Sequence, residues 1–386
     1  MILQQAFSRE RAVELALLTG PLLLLAIGWR SLAAAGFELP GSMARIVTQA
    51  ALCVIAMHAA VRFGAPRARP ELLPLVAVLA LLGIVMVARL APASASQQAN
   101  WLTVGFAAFT MGLAAGRMPH RLRSLTYTSG LLAVLVLVAT GLFGETINGA
   151  RLWVRVAGQS VQTTEFIKAF LVLFLAGYLA DAGGALSRPL PRVRSAAVPG
   201  AVYVLPLALV LAGAILALAL LRDLGSIALL LFLAVALVYL ATGRVAFAAA
   251  GAGLVVATGA IGYAAFGHVQ ARIDAWLDPM ADPAGSGYQS LQATYAINAG
   301  GILGTGLSRG MPDVVPASST DYVYVAIAEE LGMAGAAGVA LVYLALLHAG
   351  LRVAAEARDS YCRLLAAAVA LLIGIQAAVK IGRAHV

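Results

Sequence analysis

Charged residues are scarce in this sequence. Aspartate, glutamate, lysine and arginine together make up 11% of its 386 residues, whereas hydrophobic residues make up 62%. A soluble domain normally carries about a quarter charged residues, and the mean hydropathy of +0.92 points away from one as well. The scarcity excludes a chain that folds mainly in water. No polar interval is long enough to form a separate soluble domain.

Cysteine is also scarce, because the chain has two. Cys53 lies inside an apolar run and Cys362 lies at a loop, so we expect no disulfide between them. The chain contains neither a Cys-x-x-Cys nor a His-Glu-x-x-His spacing, and its five histidines are scattered. The sequence therefore predicts no Cys/His metal cage, and we assign no metal ligands.

Long apolar runs recur along the whole chain. A helix needs about 20 apolar residues to cross the hydrocarbon core of a bilayer. By that rule we predict an all-α, polytopic transmembrane helix bundle of about eleven spans. The last but one is longer than necessary, so it should include a half-buried opening turn. The predicted spans are 12–29, 42–61, 71–90, 100–116, 124–144, 162–180, 198–221, 224–242, 245–266, 320–350 and 363–379.

The positive charge is spread over the loops. A net charge of +9 would suit a nucleic-acid partner if it were clustered, and because it is not, we expect no nucleic acid. With a cytoplasmic N-terminus, the inner loops hold the larger share of the arginines, as the positive-inside rule requires. We therefore predict that the N-terminus is cytoplasmic.

Two polar intervals face the outer side in this topology, residues 145–162 and 268–320. The second is the longest non-spanning stretch of the chain, and loops of this length tend to be functional or disordered. Aromatic residues such as Trp276 and Tyr288 argue against disorder. We predict that 268–320 forms one large, ordered extracytoplasmic loop.

Several ionisable residues fall within or at the ends of the predicted spans. Glu165 and Lys168 are three residues apart and share a helix face. Asp223 opens another span, and Glu329 and Glu330 lie inside a third. A carboxylate at membrane depth costs about 2.5–3.5 kcal/mol. Either these charges pair and hold helices together, or they line a polar cavity for a charged lipid headgroup.

Four stretches, in this order, are typical of one family. Over residues 124–379 the chain resembles the SEDS family (shape, elongation, division and sporulation), the RodA/FtsW-type peptidoglycan polymerases. Two more spans precede the first motif than in the ten-helix family pattern, which is similar to a longer RodA-like subgroup. The stretches are Asn148-Gly149-Ala150-Arg151-Leu152-Trp153 leading to Glu165-Phe166-Ile167-Lys168; Arg222-Asp223-Leu224-Gly225-Ser226; Trp276-Leu277-Asp278-Pro279 through Asp282-Pro283 to Gly287-Tyr288-Gln289; and Gly304-Thr305-Gly306-Leu307 followed by Thr320-Asp321 and Ala328-Glu329-Glu330-Leu331-Gly332.

The resemblance implies a bacterial glycosyltransferase that polymerises lipid II into glycan strands outside the cytoplasmic (inner) membrane. Its partner would be a class B penicillin-binding protein, which supplies the transpeptidase. The chain would divide into N-terminal helices, 1–123, and a glycosyltransferase core, 124–379. The family's essential aspartate falls on Asp282. The residues expected to bind lipid II or the growing strand are Arg151, Trp153, Glu165, Lys168, Arg222, Asp223, Asp278, Gln289, Glu329 and Glu330.

The chemistry of strand extension suits these residue types. A carboxylate such as Asp282 can act as general base on the attacking sugar hydroxyl. Arg151, Lys168, Arg222 or a bound divalent cation (Mg²⁺ or Mn²⁺) can stabilise the departing pyrophosphate, and the sequence does not choose among them. The other interpretation of Asp282 is an Asp-Pro turn cap, and Asp278 is the second candidate for the base.

The chain departs from the family pattern in two places. The usual Gln-Pro-Ser-Glu reads Gln162-Thr163-Thr164-Glu165, which loses the proline that starts the helix, although an N-cap threonine can replace that signal. At the C-terminal end, the family continues into a Ser-Tyr-Gly-Gly segment and a last helix, whereas this sequence has residues 380–386 in their place. Codons for the last six residues resemble a common sequencing-library adapter. We therefore expect a non-native tail at 380–386 and a twelfth span in the natural chain.

Two other functions use similar sequence features. A transporter that moves a lipid-linked sugar across the bilayer also needs intramembrane carboxylates. It would place them at the midplane between inverted repeats, whereas here the richest acidic loop lies outside and no repeat is evident. A membrane scaffold for a cell-wall complex would need no catalytic aspartate. The sequence does not separate elongation from division.

Overall fold

Helices dominate the fold. The computed structural model describes residues 9–36, 41–147, 150–156, 159–186 and 199–384. In chain order the helices are α1 (Arg9–Ala34), α2 (Met43–Gly64), α3 (Leu72–Leu90), α4 (Ala95–Gly116), α5 (Pro119–Ser124), α6 (Thr126–Phe143), α7 (Thr163–Leu186), α8 (Pro199–Leu220), α9 (Leu224–Thr242), α10 (Val245–Ala265), α11 (Gly267–Leu277), α12 (Tyr288–Gly300), α13 (Val323–Glu330), α14 (Gly332–Glu356) and α15 (Ser360–Ala384).

The predicted polytopic helix bundle is confirmed. Among the described residues, ten helical segments are long and apolar enough to cross a membrane, and every one of the eleven predicted spans is helical. Helix α4, which covers the predicted span 100–116, is not among the ten. Its first turns carry Gln97, Gln98 and Asn100, whose amides lower its apolar character.

A small antiparallel sheet, which the sequence analysis did not predict, occupies residues 145–162. Its strands are β1 (Glu145–Ile147), β2 (Ala150–Val156) and β3 (Gln159–Gln162), in the order β1-β2-β3. Side chains alternate along β2, with Leu152 buried and Arg151 exposed, which is the period of a strand. The family motif residues Asn148 and Gly149 lie outside the described residues.

The described residues form two compact units, each built from separate stretches of the chain. The first contains residues 1–117, 262–349 and 376–386, and the second contains 118–261 and 350–375. In the first, α1 packs along α3, and α2 packs along α4. In the second, α6 and α9 pack on α7, which is the most deeply buried helix of that unit and contributes Phe174, Leu175 and Leu179 to its core.

Buried charges also hold the first unit together. Glu14 on α1 is fully buried and binds Arg11 on one side and His58 Nδ1 of α2 on the other, at 2.6 Å. Arg11 also donates to the carbonyl oxygen of Ala68. A buried carboxylate without such partners would be strongly destabilising, so these contacts fix α1 against α2.

The predicted outer loop 268–320 is ordered in the structure. It contains most of α11, all of α12 and two short 3-10 turns, Pro279–Ala281 and Pro312–Val314. The predicted opening turn of the 320–350 span is also present, as the short helix α13, in which every residue after Val323 is buried. What was not predicted is the break that follows it, at Leu331 and Gly332.

Candidate functional site

Asp282 caps a tight turn between α11 and α12. Its Oδ1 accepts a hydrogen bond from the backbone N–H of Gly285 at 3.1 Å. Its Oδ2 accepts two more from Ser286, one from the backbone N–H at 2.7 Å and one from the hydroxyl at 3.1 Å. The side chain is otherwise exposed. The Asp-Pro turn cap of the sequence analysis is therefore present. Oδ2 already accepts two hydrogen bonds, whereas Oδ1 accepts one and, with two lone pairs, can accept another.

These hydrogen bonds set the charge of Asp282. The backbone N–H of Ser286 lowers the pKa of the carboxyl most, and the Ser286 hydroxyl and the N–H of Gly285 lower it further. Hydrogen bonds to the charged form favour ionisation. At neutral pH the side chain is therefore a carboxylate, ready to accept a hydrogen bond from a hydroxyl group or to bind a cation.

Two other predicted residues flank this turn. Asp278 caps the 3-10 turn just before it, because its Oδ1 accepts from the N–H of Met280 at 3.1 Å. Gln289 lies in the first turn of α12, and its Nε2 donates to the carbonyl oxygen of Pro316 at 2.8 Å. Gln289 thus ties α12 to the far end of the same loop, and the structure brings Asp278, Asp282 and Gln289 into one region.

The break between α13 and α14 is filled by the segment Gly300–Met311, called here the return segment. The C-terminal carbonyls of α13 are satisfied by it: Glu329 O accepts from the N–H of Thr305 and Glu330 O from that of Gly306, both at 3.0 Å. Backbone groups at a helix end need such partners. In a membrane, irregular backbone of this kind is tolerated where it is buried in protein.

Glycine permits this close approach. Gly304 and Gly332 both have positive φ, at 83° and 71°. A Cβ on Gly304 would lie 2.2 Å from Glu330 O, and one on Gly332 would lie 2.3 Å from the nitrogen of Gly304. The two motifs Gly304-Thr305-Gly306-Leu307 and Ala328-Glu329-Glu330-Leu331-Gly332 therefore contact each other directly.

Glu329 and Glu330 point into the return segment and are buried. Glu329 Oε1 accepts from the N–H of Met311 at 2.7 Å, and Glu330 Oε1 accepts from Arg89 Nε at 2.9 Å. A Cβ on Gly310 would lie 2.9 Å from Glu330 Cγ and 3.0 Å from Glu329 Cδ. Of the two interpretations, pairing and a polar cavity, these contacts favour pairing for Glu330, which has a cationic partner in Arg89, whereas Glu329 is held by a backbone N–H.

The second unit holds the Glu165–Lys168 pair. Lys168 Nζ donates to Glu165 Oε1 at 2.7 Å, and the Lys168 side chain is 13% exposed whereas that of Glu165 is 52% exposed. Lys168 lines a small groove on this unit. The other lining residues are predominantly leucine: Thr164, Ile167, Leu171, Leu218, Ser226, Leu229, Leu230, Leu233 and Leu372.

This groove combines an apolar wall with one ammonium group, the combination that a lipid phosphate requires. The hydroxyl of Thr164 is buried there, and within the described part of the chain it has no hydrogen-bond partner. Helix α7 begins at Thr163, so the loss of the family's proline does not prevent it from starting. The Thr163 hydroxyl donates to the carbonyl oxygen of Leu152 at 3.2 Å, and this bond joins the helix start to β2.

Arg151 and Trp153 lie on β2. Arg151 is exposed and its Nη1 donates to the carbonyl oxygen of Gly141 at 2.9 Å. Trp153 pairs with Gln162 across the sheet and packs against the core of the second unit. The sheet thus holds the Arg151 guanidinium at the end of α6, with part of its surface open.

Arg222 and Asp223 form the turn between α8 and α9. Arg222 is exposed and has a positive φ of 63°, which is uncommon for a residue other than glycine. Asp223 caps α9, because its Oδ1 accepts from the N–H of Ser226 at 3.0 Å and its Oδ2 from the Ser226 hydroxyl at 2.5 Å. Ser226 itself lines the Lys168 groove, so Asp223 orients one of the groove's polar groups.

Within the described ranges, no group of three or more histidine, cysteine, aspartate or glutamate side chains is arranged to hold a metal ion. The acidic residues of the outer loop are engaged in separate turns instead, as Asp278 and Asp282 show. A divalent cation therefore stays a prediction, and its ligands would have to include substrate oxygens or water.

Residues 70–385 match the family model of the FtsW/RodA/SpoVE proteins, which are described as cell cycle proteins. The match covers well over half of the chain. The chain belongs to the FtsW/RodA/SpoVE family. The resemblance inferred from the four motifs is thereby confirmed, and the two contacting motifs around the return segment lie inside the matched range.

Relatives in this family carry informative names. The chain is 36% identical over 346 residues to the peptidoglycan glycosyltransferase RodA of Mycobacterium tuberculosis, an alignment that covers 84% of this chain and 72% of that protein. It is 32% identical over 324 residues to the probable peptidoglycan glycosyltransferase FtsW of Halorhodospira halophila, covering 80% of this chain and 79% of the relative.

Solved structures agree in fold. One chain of a peptidoglycan synthase complex, described as coordinating polymerization and crosslinking, is 26% identical, with a TM-score of 0.65 and coverage of 83% of this chain and 88% of that one. The rod shape determining protein RodA of Thermus thermophilus is 24% identical, with a TM-score of 0.53 and coverage of 82% and 85%; this second likeness concerns the fold alone.

Sequence analysis of this family member missed one residue of the site. The sequence analysis did not single out Arg89, whereas the structure places its guanidinium between Glu330 and the carbonyl oxygen of Gly310, which lies 3.1 Å from Nη2. The available signal was an arginine in the last turn of an otherwise apolar helix. Such a charge at membrane depth calls for a partner.

Proposed function

We propose that this chain polymerises lipid II into glycan strands at the outer face of the bacterial cytoplasmic membrane. The chain is a multi-pass membrane protein and a peptidoglycan glycosyltransferase of the FtsW/RodA/SpoVE family. The observation that carries the activity is its similarity, over most of both chains, to a protein named peptidoglycan glycosyltransferase. Lipid II as the substrate is our inference from that name and from the membrane setting.

Asp282 is the residue to which we assign proton transfer. A sugar hydroxyl attacks the anomeric carbon of the other substrate and forms a new C–O bond. The bond between that carbon and the lipid pyrophosphate breaks, and the pyrophosphate leaves with the electron pair. The hydroxyl proton passes to the carboxylate. Because the pKa of Asp282 is lowered, the group is ionised at neutral pH but is a weaker base than an ordinary aspartate, so it accepts the proton only as the new bond forms and the attacking hydroxyl becomes acidic.

The leaving pyrophosphate needs a cation. We assign this role first to Lys168, because its ammonium is the charged group of a leucine-lined groove and a lipid phosphate carries an apolar chain beside its charge. Arg151 and Arg222 are exposed cations on the same unit and are the next candidates. A divalent cation bound with the substrate would supply the same stabilisation.

The partner and the orientation are also part of the proposal. The synthase complex that resembles this chain couples polymerization with crosslinking, and we infer a class B penicillin-binding protein as the crosslinking partner. From the larger share of arginines that the inner loops hold when the N-terminus is cytoplasmic, we infer that orientation. The turn with Asp282 then faces the outside, where the polymer is needed.

The test is polymerisation of lipid II by the purified chain together with its cognate transpeptidase, comparing the parent with Asp282→Asn. Asparagine keeps the size of the side chain and an acceptor oxygen for the turn but removes the base. A general base contributes about 10²–10⁴-fold in rate, so we expect polymerisation to fall by that order at unchanged membrane abundance. Parent-like activity of Asp282→Asn together with loss in Asp278→Asn would assign the base to Asp278.

The same assay separates the polymerase from a transporter. A lipid-linked sugar transporter would move lipid II across a vesicle membrane without lengthening it. We expect glycan strands from the parent chain, detected by gel separation of the labelled products. Transbilayer movement of labelled lipid II without any strand product would replace the proposed function with transport.

A further inference from the structure

Arg89 and Glu330 form a buried ion pair between distant parts of the first unit. Their side chains are 7% and 0% exposed, and Arg89 Nε lies 2.9 Å from Glu330 Oε1. The same guanidinium donates through Nη2 to the carbonyl oxygen of Gly310 at 3.1 Å. The Arg89 side chain on α3 therefore contacts both the end of α13 and the return segment.

The other end of this arrangement is the Asp282 turn. The N–H of Gly287 donates to the carbonyl oxygen of Asp282 at 3.0 Å, and α12 begins at the next residue. Helix α12 has 13 residues, about 20 Å at 1.5 Å per residue. It ends at Gly300, where a Cβ would lie 2.1 Å from the carbonyl oxygen of Ala328 on α13. Hence α12 carries the turn at one end and enters the return segment at the other.

A rigid helix transmits any displacement of its end. If the return segment moved away from α13, the end of α12 would lose its fixed position and the Asp282 turn would move with it. Near the turn itself, the Gln289 side chain ties α12 to the loop at Pro316. The anchor of the turn among the described residues is therefore α12 itself, which is buried at Ser290, Leu291 and Ala293 near the turn and at Gly300 at its end.

We propose that Arg89 and Glu330 are positioning residues for Asp282: the pair clamps the return segment against α13 and, through α12, holds the carboxylate where the sugar hydroxyl arrives. The proposal rests on the polymerase function given above. It assigns a role in the reaction to α3, a helix that precedes all four family motifs.

One double variant distinguishes a purely structural role of the Arg89–Glu330 pair from a positioning role. Removing one partner of a buried ion pair leaves an uncompensated charge and destabilises the protein strongly, whereas replacing both partners by apolar residues is often neutral or stabilising. Arg89→Met with Glu330→Leu therefore restores stability. It does not restore the hydrogen bond to Gly310 O, so the return segment keeps its backbone hydrogen bonds to Glu329 O and Glu330 O but loses its tie to α3.

The kinetic test measures kcat and KM for lipid II polymerisation in the parent, both single variants, the double variant and a control, Arg45→Met, whose side chain is exposed on α2. Misplacement of a catalytic group by about 1 Å costs about a hundredfold in rate. For the double variant we expect parent-like thermal stability, a kcat lowered by about tenfold or more, and a KM within about threefold of the parent. Recovery of kcat together with stability would refute the positioning role.

A second variant covers the case in which the double variant is not recovered from membranes. Arg89→Lys keeps the charge but lacks the planar fork that reaches Glu330 and Gly310 at once. We expect normal abundance and a lowered kcat. Full activity of Arg89→Lys would overturn the proposal.

A distance measurement tests the clamp without any reference to activity. Cys53 and Cys362 are first replaced by alanine. Nitroxide labels are then attached to cysteines at two exposed positions, Ala93 just beyond α3 and Ala281 just before Asp282. We expect a narrow distance distribution in the parent and a broad one in the double variant. An unchanged distribution would reject the clamp. If the parent made no polymer while the distributions differed, the proposed function would fail and the clamp would stand.

Discussion

The hydroxyl of Ser286 and its backbone N–H both donate to the same oxygen of Asp282, Oδ2. The cap and the proposed base are therefore the same side chain, and the two interpretations that the sequence left open are compatible. The turn uses both lone pairs of Oδ2 and one of Oδ1, which leaves Oδ1 to receive a proton or a further hydrogen bond. Its hydrogen bonds also keep the group ionised, because they lower the pKa.

The first prediction concerns Ser286→Ala and the pH profile. This change removes one hydrogen bond to the charged carboxylate, so the pKa of Asp282 should rise toward its ordinary value. The base acts only when ionised, so the acid limb of the kcat/KM profile should move to higher pH, while the activity at neutral pH stays near that of the parent. Rates measured from neutral pH down to about pH 3, below the ordinary aspartate pKa of about 3.9, define the limb. Ser94→Ala, on an exposed serine, serves as control, and a shift to lower pH would contradict the assignment.

The second prediction concerns Gly287→Ala. The new Cβ would lie 2.0 Å from the carbonyl oxygen of Pro279 and 2.9 Å from that of Asp282, and these are backbone atoms that cannot rotate away. Overpacking of this kind costs about 1–3 kcal/mol. We expect the turn to shift and kcat to fall by about tenfold or more, measured in the polymerisation assay.

The matched control is Gly267→Ala, at the start of α11 in the same loop. A Cβ there would meet nothing within 4 Å, so the activity should be unchanged. Equal losses of activity in both variants would show that the loop responds to any substitution. The result would then give no evidence that the position of the Asp282 turn controls the activity.

The sequence predicted the helices well because the length of an apolar run is a local property. The strands β1–β3 were missed because each is short and lies within a polar interval, where no long pattern develops. The opening turn before α14 was predicted from the excess length of 320–350. The break itself was not, because it depends on the positive φ of Gly332 and on its contact with Gly304.

The candidate site was predictable only in part, for the same reason. Motif resemblance located Asp282, Glu165 and Lys168, and the ion pair of the last two follows from their spacing of three residues. No local pattern could join Arg89 to Glu330, since 241 residues separate them. That pairing exists only after α3 and α13 have packed together.

The third prediction concerns membrane orientation. With Cys53 and Cys362 replaced by alanine, a cysteine at Ser286 should react with a membrane-impermeant thiol reagent in intact spheroplasts, because Ser286 is exposed and lies in the loop that we place outside. A cysteine at Ser360, the first residue of α15, should react only after lysis. The opposite pattern would invert the topology and place Asp282 on the wrong side of the membrane for the proposed reaction.

The fourth prediction concerns Lys168→Met. Methionine is about as long as lysine and packs well against a leucine wall, and the partner Glu165 is half exposed, so folding should be little affected; an exposed ion pair contributes only about 0–1 kcal/mol. Loss of a cation that stabilises the leaving group typically costs about 10²–10³-fold in rate. We expect kcat/KM for lipid II to fall by at least about tenfold at normal membrane abundance.

Two further variants decide what such a loss means. Lys380→Met removes the other lysine of the chain, which pairs with Asp321 at an exposed site in the first unit, and it controls for the loss of an exposed ion pair. Glu165→Gln breaks the pair with Lys168 but leaves the ammonium in the groove. If Glu165→Gln lost as much activity as Lys168→Met, the ion pair rather than the free ammonium would be the functional feature. A smaller loss in Glu165→Gln would identify the Lys168 charge as the group that meets the pyrophosphate.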